Sequence, residues 1–405
     1  MAVGPATLPS MYSVDGIRIG VASAGIKKPG RKDVVVFEVC EDASVAGVFT
    51  KNAFCAAPVV ISKDHLVQGN VRYFLINTGN ANAGTGKQGL ADAYECCDLL
   101  AAEVGLTRSA VLPFSTGVIG EPLPVAKIAA AIPQAVENLS AYQWEAAASG
   151  IMTTDTRPKG ATKQIEIDGQ TVTISGISKG AGMIMPNMAT MLGFIGTDAA
   201  VEPQLLQEIL TDAANKSFNR ITIDGDTSTN DSCMLIATGR SGAIVSSSDT
   251  EALNLFVEAI NEVMLEIALA IVKDGEGATK LVTVSVESAA TQEEALKTAY
   301  TVAHSPLVKT ALFASDPNWG RILAAVGRAG IENFDLETLK IYLDDVCIVE
   351  NGGRAASYTE DAGQAVMNQE NILIRIVLNR GDVNETVWTT DLSHEYVTIN
   401  ADYRS

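Results

Sequence analysis

The segment from Lys179 to Asp198, KGAGMIMPNMATMLGFIGTD, is where residue types and spacing first bear on chemistry. No charged residue lies between its two ends, and four methionines crowd it. On composition it reads as a buried strand, a turn at Pro186-Asn187 and a second buried strand. Thr190 is then a core threonine whose hydroxyl bonds to neighbouring backbone. The functional reading makes Thr190 a nucleophile, and a threonine hydroxyl is a poor one until a base takes its proton. The only histidines, His65, His304 and His394, sit in no motif, so a histidine base has few candidates.

Other clusters are weaker. STGVIG (Ser115 to Gly120) reads on its own as a tight turn, although a glycine after a hydroxyl residue also lets backbone N–H groups face a developing negative charge. DGDTSTND (Asp224 to Asp231) imitates a calcium loop, but counting from Asp224 places Thr229 at position six and Leu235 at position twelve, where Gly and Glu are needed. A hydrogen-bonded turn supporting an active site fits it better, and no metal is expected. The six cysteines, Cys40, Cys55, Cys96, Cys97, Cys233 and Cys347, form no CxxC pair; reduced, mostly buried thiols are expected.

The Lys179 segment resembles the processing site of the ornithine acetyltransferase (glutamate N-acetyltransferase) family, K-G-x-G-M-I-x-P-N-M-A-T-M-L. Lys179, Gly180, Gly182, Met183, Ile184, Pro186, Asn187, Met188, Ala189, Thr190, Met191 and Leu192 match it. The resemblance extends through GVFTKNAFCAAPV (Gly47 to Val59), INTGNANAGTG (Ile76 to Gly86), STGVIG, MTTDTRPK (Met152 to Lys159), FNRITIDGDTSTND (Phe218 to Asp231), KDGEGATK (Lys273 to Lys280), SDPNWGRI (Ser315 to Ile322) and the closing NADYRS. It is effectively full length. Met185 stands where Ala or His is common, and Ser405 where Thr is common.

The resemblance implies self-cleavage between Ala189 and Thr190, giving an alpha chain, 1–189, and a beta chain, 190–405. Cleavage would give Thr190 an α-amine with a pKa near ~8, able to act as general base for its own hydroxyl. The same hydroxyl would make the cut by an N-to-O acyl shift. By the same resemblance Thr116 and Gly117 stabilise the oxyanion, while Thr154, Lys179, Glu276, Asn400 and Ser405 join Thr190 in binding substrate, with Thr156 ranked lower. The implied reaction moves acetyl from N-acetylornithine to glutamate in cyclic arginine (ornithine) biosynthesis, through an acetyl-Thr190 intermediate. No cofactor is expected. Acetyl-CoA is the co-substrate in family members that also make N-acetylglutamate directly. Two alpha and two beta chains are expected to assemble as a heterotetramer. The alternative is a self-cleaving N-terminal-nucleophile amidohydrolase or aminopeptidase of related architecture.

The elements that must position these residues can be read from periodicity. Strands are predicted at Asp33 to Val39, Val45 to Thr50, Pro58 to Ser62 and Arg72 to Asn77. Helices follow at Gly89 to Val104 and from Val125 to about Ile132. A hairpin joins Gln164–Ile167 to Thr171–Ser175 through Asp168-Gly169. The second half offers a helix from Pro203 to about Ser217, a strand near Met234 to Thr238, and a helix from Glu251 to Lys273. In that helix Leu253, Phe256, Val257, Ile260, Val263, Met264, Ile267 and Ile271 form one stripe. Strands are read at Leu281 to Glu287, Leu339 to Tyr342 and Ile372 to Leu378. The fold class is α/β, a layered sandwich with mixed sheets built jointly from the two chains.

Composition sets the outer bounds. At 47% hydrophobic and 19% charged residues the chain should fold, and a formal charge of -19 would repel a phosphate backbone. Small molecules are the expected partners, with no nucleic acid and no membrane. The start lacks signal-peptide features, and no apolar run of about 18 residues occurs, which predicts a cytoplasmic enzyme.

Overall fold

A computed structural model describes residues 2–4, 7–185 and 191–402. The chain divides into two compact units, one of Thr7–Asn219 and Asp226–Ile271, the other of Met1–Ala6, Arg220–Gly225 and Val272–Ser405. These units do not coincide with the two chains expected from cleavage.

The larger unit contains, in chain order, β1 (Ile17–Ala22), β2 (Val34–Val39), β3 (Ser44–Phe49), α1 (Ala57–Gln68), β4 (Tyr73–Asn80), α2 (Gly86–Glu103), β5 (Val111–Val118), α3 (Val125–Glu137), α4 (Trp144–Gly150), β6 (Lys159–Ile167) and β7 (Gln170–Lys179). It continues with β8 (Leu192–Thr197), β9 (Ala200–Val201), α5 (Pro203–Lys216), β10 (Ser232–Ala237), β11 (Ile244–Val245) and most of α6 (Thr250–Lys273). One sheet has the order β1-β2-β4-β5 and the other β3-β10-β8-β7-β6. Both are mixed: β4 runs parallel to β5 and β8 parallel to β10, while their other pairings are antiparallel.

The sheets face each other across an aromatic core. Phe37, Phe74 and Phe114 from one meet Phe194 from the other, with ring centroids 5.1 to 5.9 Å apart. Behind the first sheet, Val34, Val36 and Leu75 pack on Cys97 and Leu100 of α2 and on Ile128 and Ile132 of α3. At Gly176 of β7 an added Cβ would come 3.0 Å from Ile195 and 3.0 Å from Ile267 of α6, so the missing side chain makes room for that helix. Phe256, Ile260, Val263, Met264, Ile267 and Ile271 are buried, as the stripe predicts. The layered, mixed-sheet α/β reading holds.

Three local expectations need correction. Pro58 to Ser62 is not a strand but the first part of α1: Pro58 sits in the first turn, where its missing N–H costs nothing, and Pro58, Ile61, Ser62 and His65 bury one helical face. Ser115 to Val118 is not a turn but the end of strand β5, with Pro113 tolerated because β5 is an edge strand. Residues 180–185, expected to continue a strand, are irregular after β7 stops at Lys179, with Met183 at φ 55°. The expected turn at Pro186-Asn187 lies outside the described residues.

The predicted hairpin is present, with Asp168 at φ 51° and Gly169 at φ 73° between β6 and β7. All six cysteines are free; Cys96, Cys97 and Cys233 are buried, whereas Cys40, Cys55 and Cys347 are only partly so.

The smaller unit is built on a six-stranded sheet of β12 (Leu281–Ala289), β13 (Lys340–Leu343), β14 (Val346–Glu350), β15 (Gly353–Arg354), β16 (Asn371–Val377) and β17 (Val383–Thr390). Its order is β15-β14-β13-β16-β12-β17. Helices α7 (Gln292–Ala303), α8 (Pro306–Phe313), α9 (Trp319–Gly327) and α10 (Glu360–Met367) contribute to one core with it. Alternate residues Ile372, Ile374 and Ile376 of β16 enter that core. The final helix, α11 (His394–Ala401), has no fully buried residue.

Candidate active site

The loop carrying Thr154 and the end of β7 carrying Lys179 meet at Asp155, which is fully buried. Its Oδ1 accepts from Lys159 Nζ at 2.6 Å and from the Gly180 backbone N–H at 2.7 Å, and its Oδ2 accepts from the Thr153 N–H at 2.9 Å. Burial alone would raise the Asp155 pKa; the charges of Lys159 and then Lys179, with the Lys159 hydrogen bond, hold it well below the usual carboxylate range. One carboxylate thus joins the residue before Thr154 to the residue after Lys179. Thr154 and Lys179 are half-buried, and Thr156 is exposed.

Thr116 and Gly117 lie near the end of β5, where its parallel pairing with β4 becomes irregular at Gly79 and Asn80. Gly117 has φ 135°, and a Cβ there would fall 2.3 Å from the Gly79 carbonyl carbon and 2.5 Å from the Asn80 nitrogen. Only glycine fits. The DGDTSTND segment supports this corner: Asn230 Nδ2 donates to the carbonyls of Ala81 at 2.6 Å and Ser115 at 2.9 Å. With its amide committed to backbone, Asn230 acts as a strut, as the hydrogen-bonded-turn reading expects. Among the described residues no group of three His, Cys, Asp or Glu could hold a metal ion.

Asp231, the next residue, is fully buried, and its Oδ2 has no hydrogen-bond partner among the described residues. Burial pushes its pKa well above the ordinary carboxylate value, although Ser228 and the charge of Lys179 act in the opposite direction.

In the smaller unit, Asn400 of α11 donates through Nδ2 to Glu276 Oε2 at 2.7 Å and to the Tyr396 carbonyl at 2.9 Å. These two predicted site residues are brought together. Nearby in the same unit, Lys309 is wholly buried, donating to Thr389 Oγ1 at 3.0 Å and to the carbonyl and hydroxyl of Thr390. Burial lowers its pKa to about 8 against the attraction of Asp391 and Asp224. His304 bonds to Thr222 Oγ1 at 2.9 Å, and burial, then the charge of Lys309, lower its pKa to about 4.

Ala189, Thr190 and Ser405 lie outside the described residues. Asp155 and Asp231 were missed from sequence. Asp155 lies inside the quoted MTTDTRPK and Asp231 closes FNRITIDGDTSTND, but a single acidic residue in a polar loop gives no sign that it will be buried.

A layered α/β framework, with buried ionisable groups gathered at strand ends and in the loops beside them, is the architecture of an α/β enzyme. The ArgJ family pattern matches residues 18–405, and the chain belongs to the ArgJ family. It is 61% identical, over the full length of both chains, to the arginine biosynthesis bifunctional protein ArgJ of Pseudomonas fluorescens (strain Pf0-1). It is equally similar, at 61% over full length, to that of Pseudomonas syringae pv. tomato. Among solved structures it is similar to the ArgJ protein of Bacillus halodurans, with 35% identity, a TM-score of 0.48, and coverage of 50% of this chain and 95% of that one. It is also similar to an ornithine acetyltransferase of Mycobacterium tuberculosis complexed with ornithine, with 32% identity, a TM-score of 0.40, and coverage of 45% and 98%. The family read from the motifs is borne out, and the chain is an enzyme of that family. No helix among the described residues is long and apolar enough to cross a membrane.

Proposed function

We propose that this enzyme transfers an acetyl group from N2-acetylornithine to glutamate in arginine biosynthesis, through an acetyl ester on Thr190. The observation that carries the reading is 61% identity over the whole length of bifunctional ArgJ proteins. The proposal begins with a cut between Ala189 and Thr190, which gives chains 1–189 and 190–405 and a free α-amine on Thr190. That amine takes the hydroxyl proton as Thr190 Oγ attacks the acetyl carbonyl, then returns it to the departing ornithine. Glutamate accepts the acetyl in a second, mirror-image step.

Thr116 and Gly117 are proposed to stabilise the oxyanion, a role that suits a backbone free of a side chain at Gly117. Lys179 supplies a cation for the substrate α-carboxylate, with Thr154 beside it. Glu276, oriented by Asn400, meets the substrate amino group, and Ser405 joins these binding residues. No cofactor is required. The bifunctional designation of the relatives supports a second activity, making N-acetylglutamate from acetyl-CoA. The cytoplasm is the proposed location, and a heterotetramer of two chains of each kind the proposed assembly.

The test is an assay of purified protein with acetylornithine, with and without glutamate, beside a denaturing gel. Two chains and release of ornithine that depends on glutamate support the transferase. Release of acetate at the same rate without glutamate would favour an amidohydrolase, and an intact chain with full activity would remove cleavage from the mechanism.

A further inference from the structure

Glu276 sits at the corner of a tight turn. The Ala278 N–H donates back to the Gly275 carbonyl at 2.9 Å, and Gly277 has φ 70°, the geometry of a turn that calls for glycine at its third position. A Cβ on Gly277 would fall 2.5 Å from Ser393 Oγ and 2.7 Å from the Tyr396 nitrogen, so the turn lies directly against the chain that enters α11. The Gly277 carbonyl accepts from Ser393 Oγ at 2.7 Å.

Asp391 joins these two segments. It is buried, and both its carboxyl oxygens are committed to the far side of the turn: Oδ1 accepts from the N–H groups of Thr279 at 2.8 Å and Lys280 at 3.0 Å, and Oδ2 from Thr279 Oγ1 at 2.6 Å. The β12–β17 ladder ends with Leu281 opposite Thr390. The next rung would set Lys280 against the Asp391 backbone; the Asp391 side chain takes the Lys280 N–H instead, which leaves the backbone after β17 able to turn away into α11. Behind it, Lys309 Nζ donates to the Thr389 and Thr390 hydroxyls and the Thr390 carbonyl, and the Leu392 N–H donates to the Lys309 carbonyl at 3.1 Å. Helix α11 is eight residues long and has no fully buried residue, so packing contributes little to its position. The direction in which it leaves Asp391 decides where Asn400 stands relative to Glu276.

Resting on the proposed role of Glu276 in meeting the substrate amino group, we infer that Asp391 is the positioning residue of that subsite and sets the preference for a side chain that ends in an amine. In acetylornithine the α-nitrogen is acylated, so the charged amine is the one at the end of the side chain. Asp391 fixes the turn bearing Glu276 and the start of the helix bearing Asn400 in one geometry before substrate arrives, so that ordering them does not subtract from binding.

The experiment measures, by calorimetry on the purified enzyme, the dissociation constants of ornithine and of norvaline, which is ornithine without its side-chain amine. Asp391→Ala should weaken ornithine by about tenfold to a hundredfold, the range of one hydrogen bond to a charged group, and leave norvaline unchanged. Asp391→Asn keeps a carbonyl oxygen for the two N–H groups and should restore most of the preference. Thr279→Val removes one donor to Asp391 and serves if Asp391→Ala does not fold; its loss should be smaller and confined to ornithine. Equal weakening of both ligands, or wild-type constants in Asp391→Ala and Thr279→Val, overturns the positioning role. Glu276→Ala separates the two readings. If it abolishes the preference while Asp391→Ala does not, Glu276 keeps its role and Asp391 loses its own; if it leaves the preference intact, both fall.

Discussion

Lys159 donates to Asp155 Oδ1 at 2.6 Å with both side chains shut away from solvent. A buried pair adds little net stability, but removing one partner strands the other charge. Asp155→Ala is therefore expected to cost about 3–5 kcal/mol, read from the urea midpoint. The pH dependence has a definite sign. Because the folded-state pKa of Asp155 is depressed, its contribution is fully present above the ordinary carboxylate value and is lost as pH falls below it. Asp155→Ala should flatten that acid limb. A variant as stable and as acid-sensitive as the parent would refute the pairing.

Thr116 and Gly117 separate in mutagenesis. Gly117→Ala drives a Cβ into the Gly79–Asn80 backbone, so it should destabilise the protein by about 2 kcal/mol or more and is no clean probe of the oxyanion role. Thr116→Ala keeps the backbone path and should lower kcat by about a hundredfold with an unchanged melting temperature. Unaltered kcat in Thr116→Ala would remove that residue from charge stabilisation.

Kinetics test the covalent intermediate. Initial rates for acetylornithine against glutamate should give parallel double-reciprocal lines, and acetylornithine alone should leave one acetyl group on the 190–405 chain by mass spectrometry. The ester survives only if water is excluded while glutamate enters. Intersecting lines with an unmodified chain would mean direct transfer in a ternary complex.

Acid should weaken the smaller unit through His304. Its folded pKa of about 4 lies below the ordinary value near ~6.5, so its contribution is present above pH ~6.5 and is lost as pH falls toward 4. Discounting for partial exposure, the loss at pH 4 is about 2 kcal/mol. His304→Gln should show a shallower decline of stability over that window. An identical decline would assign the acid sensitivity elsewhere.

Much of this was legible in the sequence, and the failures have physical causes. The stripe of α6 and the Asp168-Gly169 hairpin declare themselves because one face of each is pinned by a regular period. Pro58-Val59-Val60-Ile61 was misread because β-branched residues favour strands when counted singly, while the helical spacing of Pro58, Ile61, Ser62 and His65 emerges only when the window extends past Ser62. Only the family resemblance put Glu276 and Asn400 among the substrate-binding residues, and their mutual hydrogen bond, across 124 residues of sequence, was not foreseen. Asp155 and Asp231 escaped because burial of a carboxylate is decided by tertiary packing.

The strand order β3-β10-β8-β7-β6 has a consequence for how the protein must be made. A break before Thr190 would leave β8 and β10 on one polypeptide, clasped between β3 on one side and β7 with β6 on the other. The fragments would be interleaved, as the fingers of two hands are, and parting them would mean dismantling the sheet. A native gel should then show one species where a denaturing gel shows two. Separately produced halves would each expose unpaired strand edges and aggregate before meeting. The single gene product would be a folding template for a two-chain enzyme, with the peptide bond discarded once the weave is complete.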